Sequence, residues 1–307
     1  MKICAACSQA LPKERFSKKQ WQLKQCRRCK ECIAANRAVG SAEVSLSSAF
    51  NGKGASDEDL FKEAPANEEC LVCFVQLPLE CEQVSYQACC GKLLCLGCIF
   101  AAKTAEENNM IICPFCRTPA HNTEKEYIGR LKKRAEGDDA MAVYNLGCLY
   151  YDGESGLRQN TAKAHKLWLR AGELGEVRAY TSLAISYFNG RGARRMDEKK
   201  AKHYHELAAM GGQYKSRDIL GDIEWDAGNF DRALKHWMIS ARAGYDISLK
   251  AIRKAFVSGY VSKDEFEMVL RAQKESKDET KSHQRDAANQ RNEAYAFYRE
   301  TGLWIDF

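Results

Sequence analysis

Residues 70–117 carry the densest pattern in this chain. They read Cys70-Leu-Val-Cys73, then Cys89-Cys90-Gly-Lys-Leu-Leu-Cys95-Leu-Gly-Cys98, and end in Cys113-Pro-Phe-Cys116-Arg117. Eight thiols therefore stand at metal-ligand spacing. Zinc prefers four thiolates in a tetrahedron, so eight ligands make two closed sites. A segment of this length cannot build a large apolar core, and we expect bound metal to supply roughly 10–16 kcal/mol of folding free energy per structural site.

The stretch resembles the RING finger, a cross-braced module that holds two zinc ions. In that pattern the first and third ligand pairs share one metal, and the second and fourth pairs share the other. The resemblance thus implies two ligand sets. The first set is Cys70, Cys73, Cys95 and Cys98, and the second is Cys89, Cys90, Cys113 and Cys116.

One position departs from the RING pattern. A histidine usually precedes the third pair, but Lys92 stands there, and a lysine ammonium cannot bind zinc at neutral pH. Cys89 can replace it, as in all-cysteine RING variants. Adjacent cysteines chelate one ion with some strain, so the roles of Cys89 and Cys90 are the least fixed. Cys81 stands alone, and we expect it to be a spare thiol.

Composition places the chain among intracellular metal-binding proteins. It has 307 residues, enough for two or three domains, and 15 cysteines, most of them in Cys-x-x-Cys pairs. The start of the chain has no apolar signal region, so we expect a cytoplasmic or nuclear protein that is not secreted and has no membrane span. The net charge of +6 is mild and does not by itself indicate a nucleic-acid partner.

Residues 1–33 form a second cysteine cluster. Cys4 and Cys7 make one pair, and the second pair comes from Cys26, Cys29 and Cys32, which leaves one thiol over. We expect Cys29 and Cys32 to complete one zinc site, with Cys26 as the extra, although the spacing leaves Cys26 and Cys29 as alternatives.

The phrase Leu-Pro-x-x-x-Phe-Ser-Lys-x-Gln-Trp between these pairs resembles the zinc-binding domain of the Stc1 type, which implies an adaptor role. Its basic residues could face phosphates, but no aromatic ladder accompanies them, and we favour a solvated surface. Residues 34–68 are rich in Gly, Ala, Ser, Asn and Glu and predict a flexible linker, with a transient helical turn at 57–62.

Residues 121–260 repeat themselves at helical spacing. Leu146-Gly147-Cys-Leu-Tyr150 recurs 37 positions later as Leu183-Ala184-Ile-Ser-Tyr187. A third, shorter copy begins at Leu220-Gly221, and a degraded fourth follows. The pattern resembles Sel1-like repeats, relatives of the tetratricopeptide repeat. That implies an α-solenoid that binds a protein or peptide.

The predicted fold is therefore mainly α: a solenoid of Sel1-like helix pairs preceded by two small zinc modules, a knuckle or ribbon at 1–33 and a cross-braced RING at 69–120. Within the array, four histidines form no ligand set, and we expect them to be packed or solvated. They are His165, His203, His205 and His236. Residues 261–307 predict a charged helix, with a capping box from Ser262 to Glu265, and an aromatic tail.

A RING joined to a partner-binding array resembles an E3 ubiquitin-protein ligase. The resemblance implies zinc as cofactor, two ions in the RING and one at the N-terminus, and an E2 ubiquitin-conjugating enzyme as partner. It places E2 contacts at Val72 and Pro114, with Leu71 as an alternative to Val72, and a contact between E2 and ubiquitin at Arg117. The rival is a non-enzymatic zinc-dependent scaffold, which Lys92 and the lack of a tryptophan at 99–112 favour.

Overall fold

A computed structural model describes residues 2–3, 10–12, 14, 55–62, 68–79, 83–105, 112–190 and 196–291. The chain divides into two units, residues 1–54 with 173–175, and residues 55–172 with 176–307. In the first unit, strands β1 (Lys2–Ile3) and β2 (Ala10–Leu11) pair in antiparallel fashion. The four thiols predicted to bind zinc there lie outside the described residues, as do Cys26 and Cys81.

The second unit is mainly helical. It begins with the one-turn helix α1 (Asp57–Leu60). An antiparallel hairpin of β3 (Val84–Gln87) and β4 (Lys92–Cys95) follows, and β4 runs directly into helix α2 (Leu96–Ala105). The remaining described helices are α3 (Glu124–Ala135), α4 (Ala140–Asp152), α5 (Thr161–Glu173), α6 (Arg178–Asn189), α7 (Glu198–Met210), α8 (Tyr214–Asp226), α9 (Phe230–Arg242), α10 (Asp246–Val257), α11 (Lys263–Glu279) and α12 (His283–Arg291).

The repeat pattern becomes a series of helix pairs. Helices α4 and α5 make the first, α6 and α7 the second, and α8 and α9 the third. Gly153 and Gly190 end α4 and α6 in the left-handed conformation, with φ of 77° and 62°, which a glycine adopts without steric cost. The two residues stand 37 positions apart, the same distance as the sequence repeat. The first helix of each copy therefore ends at an equivalent position.

Small residues let the helices of a pair approach closely. A Cβ added to Gly147 would lie 2.5 Å from the indole of Trp168, and one added to Gly221 would lie 2.3 Å from the indole of Trp237. The second pair has Ala184 and His205 at the equivalent positions. Alanine, which is larger than glycine, is therefore paired with histidine, which is smaller than tryptophan. The total packed volume stays similar.

The predicted histidines are mostly packed inside the array. His165 is 4% exposed, and its Nε2 lies 2.7 Å from the hydroxyl of Ser186. His205 is likewise buried and lies 3.1 Å from the hydroxyl of Ser216. His236 is fully buried, and Cys148 is a buried core residue as predicted.

The C-terminal segment differs in part from the expected solvated helix. The predicted capping box is present. The hydroxyl of Ser262 accepts a hydrogen bond from the N–H of Glu265, and the Glu265 carboxylate accepts one from the N–H of Ser262. However, the helix breaks after Glu279, and α12 places Arg285 at only 4% exposure. The predicted aromatic tail lies outside the described residues.

The linker prediction agrees with the structure in part. Helix α1 lies in the predicted helical turn at 57–62, but it is not free, since Leu60 is 1% exposed and packs among residues of α7 and α8. The rest of 34–68 is described only at Glu68. In the described part of the chain, no helix is long and apolar enough to cross a bilayer.

Candidate metal centres

The eight predicted RING thiols come from four local structures. Two short turns carry Cys70 with Cys73 and Cys113 with Cys116. The β3–β4 turn carries Cys89 and Cys90, while the other pair spans the end of β4 and the start of α2. The two cysteine pairs of this region belong to different clusters.

The first Cys-x-x-Cys turn is a closed loop of main-chain hydrogen bonds. The N–H of Phe74 donates to the carbonyl of Cys70 at 2.8 Å, and the N–H of Cys70 donates to the carbonyl of Val75 at 3.0 Å. Phe74 has a φ of 56°, in the left-handed region. That conformation is unfavourable for a residue with a Cβ, so the contacts around the turn must hold it.

The last Cys-x-x-Cys turn repeats this geometry. The N–H of Arg117 donates to the carbonyl of Cys113 at 2.8 Å, and the N–H of Cys113 donates to the carbonyl of Thr118 at 2.9 Å. Arg117 has a φ of 59°. The two turns, which we call knuckle 1 (residues 70–75) and knuckle 2 (residues 113–118), therefore share one backbone design despite different sequences.

The thiols gather into two quartets with the membership that the RING resemblance implies. Quartet 1 is Cys70, Cys73, Cys95 and Cys98, and quartet 2 is Cys89, Cys90, Cys113 and Cys116. Within each, all sulfur atoms lie within 4.8 Å of one another. In quartet 1 the sulfurs of Cys70 and Cys98 are 3.8 Å apart. In quartet 2 those of Cys90 and Cys113 are also 3.8 Å apart.

These distances fit tetrahedral zinc. With a Zn–S bond of 2.3 Å, the sulfurs of a tetrahedral site stand about 3.8 Å apart. A disulfide requires sulfurs about 2.05 Å apart, and all eight cysteines are free. Moreover, the N–H of Cys95 points at the sulfur of Cys70 at 3.4 Å, as expected for an anionic acceptor. The residues present can therefore hold a metal ion in each quartet.

The acid–base balance of the thiols points the same way. Hydrogen bonds from Cys95 and Cys98 lower the pKa of Cys70, whereas the hydrogen bond to Cys70 raises the pKa of Cys98. In quartet 2, hydrogen bonds from Cys89 and Cys90 lower the pKa of Cys113. Without a cation, one thiolate in a quartet thus opposes the ionisation of its neighbours. Several thiolates can coexist only around a positive charge.

An arginine of the array holds the turn of quartet 2, which the sequence reasoning missed. Nη2 of Arg134, on α3, donates to the carbonyl of Cys89 at 2.7 Å, and its Nε donates to that of Ala88 at 2.8 Å. Asp139 lies 3.3 Å from the guanidinium and accepts a 2.8 Å hydrogen bond from Tyr86. Burial raises the pKa of Tyr86, so the phenol remains a donor.

A second arginine holds knuckle 1. Arg285, on α12, donates to the carbonyl oxygens of Gln76 and Val75 at 2.5 and 3.1 Å, and its Nη2 lies 3.8 Å from the sulfur of Cys73. Gly97 permits this approach, because a Cβ there would lie 2.7 Å from the backbone N of Arg285. Neither arginine stands in a motif, and the local signals for a close neighbour are two glycines beside the cysteines, Gly91 for Arg134 and Gly97 for Arg285.

The predicted E2-contact residues all lie on the two knuckles. Val72 is half-buried and packs against the apolar core of quartet 1, while its neighbour Leu71 is 39% exposed. Pro114 is half-buried, and Arg117 is exposed. Two aromatic side chains that the sequence reasoning did not single out are also exposed, Phe74 at 73% and Phe115 at 44%. Each knuckle thus presents apolar side chains to solvent.

The family comparison concerns the array. A family model described as Sel1 repeat matches residues 140–176 and 177–213, which are the pairs α4–α5 and α6–α7. These are the two clear copies in the sequence. The pairs that follow have the same helical layout but lie beyond the matched residues.

Two relatives cover only part of the chain. A sel1-like repeat-containing protein, L21, of Acanthamoeba polyphaga mimivirus is 26% identical over 137 residues, 44% of this chain and 25% of that protein. The E3 ubiquitin-protein ligase DA2 of Arabidopsis thaliana is 32% identical over 95 residues, 31% of this chain and 20% of that protein. The chain thus matches about a quarter or less of the length of each.

Solved structures with similarity include a Sel1 repeat protein from Oxalobacter formigenes, at 22% identity and a TM-score of 0.43 over 49% of this chain and 64% of that one. A protective antigen of uropathogenic Escherichia coli that displays an SLR fold has 23% identity and a TM-score of 0.41 over 56% of this chain and 36% of that one. On the family match and the helix pairs described above, residues 140–213 are two Sel1 repeats.

Proposed function

We propose that the chain is a RING-type E3 ubiquitin-protein ligase, with a two-zinc RING at 69–120 and a partner-binding array at 121–260. The observation that carries the proposal is the pair of thiol quartets, whose sulfur spacing fits tetrahedral zinc and whose membership follows the RING cross-brace. The partial similarity to a protein named as an E3 ubiquitin-protein ligase supports it.

In this proposal the RING acts by positioning. No nucleophile of the chain is needed, since an E2 already carries ubiquitin as a thioester. The knuckle tips would bind the E2 through apolar contacts at Val72 and Pro114, and the Arg117 guanidinium would bridge E2 and ubiquitin. Holding the thioester in an attack-ready geometry converts a loose encounter into an ordered one, which is catalysis by proximity.

The C-terminal helix α12 contacts knuckle 1 without covering the side chains at its tip. Arg285 binds the carbonyls behind knuckle 1, while Leu71 and Phe74 at its tip stay exposed. An E2 could therefore contact the tip without displacing α12. The array would bind the second partner, a protein or peptide, as repeat arrays of this kind generally do.

Two substitutions test the ligase proposal. Val72→Arg places a charge in an apolar contact, where an unpaired buried charge costs several kcal/mol, enough to abolish a micromolar E2 complex. Arg117→Asn removes the guanidinium while keeping a side chain that tolerates positive φ. It should leave E2 binding nearly intact but slow discharge of ubiquitin, because the lost contact forms only in the closed complex.

The measurements are zinc content, E2 affinity and discharge of an E2–ubiquitin thioester to free lysine. Ala105→Arg, which adds the same single positive charge at an exposed position at the end of α2, serves as the matched control. Val72 packs on the RING core, so Val72→Arg is informative only if two zinc ions remain bound. Leu71→Arg, at a more exposed position, provides the same test otherwise.

The scaffold remains the second candidate, favoured by Lys92 and by the missing tryptophan. It predicts partner binding without any acceleration of discharge. If the wild-type chain accelerates discharge from no E2 in a broad panel, the ligase proposal fails and the scaffold takes its place. If Val72→Arg and Leu71→Arg are both as active as wild type, the E2 surface lies elsewhere.

A further inference from the structure

A short acidic stretch of the chain is bound to its own repeat array. Residues 55–62, which we call the acidic segment, read Ala-Ser-Asp-Glu-Asp-Leu-Phe-Lys. Ser56 caps helix α1 by accepting the N–H of Asp59 at 3.2 Å. A single turn of helix is not stable alone in water, so its conformation depends on the surface beneath it.

That surface is formed by α7, α8 and α9, and we call it the α7–α9 groove. Leu60 is 1% exposed and packs among Ala209 and Leu220, which are themselves buried. Met210 and Ile223 border the same cluster. The groove thus accepts one branched apolar side chain in a closed pocket, the anchor geometry typical of peptide recognition.

Next to the pocket, a buried arginine binds the backbone of the segment. Arg217, on α8, is 1% exposed, and its Nη1 donates to the carbonyl of Leu60 at 2.8 Å. Its Nε and Nη2 have no hydrogen-bond partner among the described residues. A guanidinium is costly to bury for packing alone. Its contact to a main-chain carbonyl gives it a role in binding a peptide at this position.

Phe61 and Asp57 face basic and aromatic side chains on α9. The Phe61 ring lies 4.7 Å from that of His236, and the cations of Arg232 and Lys235 lie 5.7 and 5.5 Å from its centroid. Arg232 also pairs with the carboxylate of Asp57. Asp57 therefore faces a positive charge, and the Phe61 ring faces both the His236 ring and two cations.

We infer that the α7–α9 groove is a peptide-binding site of the array, that the acidic segment occupies it in cis, and that its partner in trans is an acidic turn followed by Leu-Phe. This inference deepens the partner-binding half of the proposed function and rests on that half alone. Peptide binding is measured without an E2, so ligase activity and the groove can fail independently.

A cis occupant changes the affinity that a partner shows. A tethered segment competes at an effective concentration in the millimolar range. A free peptide can bind only the molecules whose groove is empty, so its apparent affinity for the intact chain is the intrinsic affinity multiplied by that empty fraction. Vacating the groove should restore the intrinsic affinity. In the wild-type chain, where the acidic segment occupies the groove, mainly partners at high local concentration would bind there.

The test uses the full-length chain and a labelled peptide of residues 55–62, with anisotropy as the readout. The double variant Leu60→Ser/Phe61→Ser removes both anchors from the cis segment, and it should bind the free peptide at least tenfold more tightly than wild type. Adding Arg232→Glu should weaken that binding at least tenfold. A peptide carrying Asp57→Lys should recover part of the loss, because the ion pair is restored with its signs exchanged.

Phe188→Ser is the matched control, since Phe188 is a 55% exposed aromatic on α6 away from the segment. It should bind the peptide as weakly as wild type. If the folded double variant binds no more tightly than wild type, the inference is wrong. Should the double variant not fold, hydrogen exchange in wild type decides: excess peptide must speed exchange at Leu60, whose N–H bonds Ser56 at 2.9 Å, and unchanged exchange overturns the proposal.

Discussion

The guanidinium of Arg134 donates to the carbonyl of Cys89 at 2.7 Å, joining the first helix of the array to the turn of quartet 2. Gly91 makes this approach possible, because a Cβ there would lie 2.4 Å from Nη1 of Arg134, and the residue has a φ of 72°. Glycine is thus required twice at this position, for conformation and for space. The adjacent cysteines are held in place by a residue more than 40 positions away in the sequence.

Arg134→Met should loosen quartet 2 without changing its ligands. Groups that orient ligands typically contribute 10–100-fold to metal affinity, so we expect the zinc ion proposed for quartet 2 to transfer to a chelator that much more readily. Lys133→Met, an exposed neighbour on α3, is the control. Equal zinc transfer from both variants would show that Arg134 only links the two modules.

Zinc stoichiometry tests the ligand sets. The purified chain should contain three zinc ions, two in the quartets and one in the N-terminal module, by elemental analysis. Cys90→Ser should reduce the count by one, while Cys148→Ala, which alters a core thiol outside the quartets, should not. A wild-type value near two would remove either the N-terminal site or the assignment of Cys89 and Cys90.

Gly147→Ala should destabilise the first repeat. The new methyl group would lie 2.5 Å from Trp168, and such overpacking typically costs about 1–3 kcal/mol of unfolding free energy. Gly129→Ala is the matched control, since nothing lies within 4 Å of its Cβ position, and it should stabilise by about 0.5–1 kcal/mol. Denaturant unfolding measures both. Trp168→His should recover part of the loss in Gly147→Ala, because the second repeat has Ala184 with His205.

The buried His236 should make the array less stable in acid. Burial, together with Arg217, Arg232 and Lys202, lowers its pKa from 6.5 to about 3. The unfolded chain then binds the proton first, so stability is intact above about pH 6.5 and falls as the pH drops from there toward 3, by about 1.4 kcal/mol per pH unit.

His236→Gln should remove that slope. Unfolding free energies of wild type and variant, measured between pH 6.5 and 4.5, share any effect of metal loss, so their difference isolates the histidine. His205→Gln should act in the same direction, because burial lowers the pKa of His205 to about 4. A His236→Gln variant with the wild-type pH slope would contradict this account.

The sequence by itself determined the features that depend on local spacing. Knuckles 1 and 2 are each closed by main-chain bonds within six residues. Gly153 and Gly190 end equivalent helices because each only has to satisfy its own backbone. The membership of the quartets followed from the RING resemblance, and the two Sel1 copies followed from a period of 37 residues. Zinc binding itself stays a prediction.

Only the tertiary structure decided which distant residues meet. Arg134 and Arg285 are ordinary helix residues in the sequence, yet they hold the carbonyls beside the two quartets. Composition predicted a flexible linker with a transient helical turn at 57–62, because its overall apolar content is low. That average does not reveal that the array buries the single residue Leu60. Local patterns specify backbone conformation, whereas the burial of Leu60 and the direction of an arginine depend on surfaces that exist only once the helices have packed.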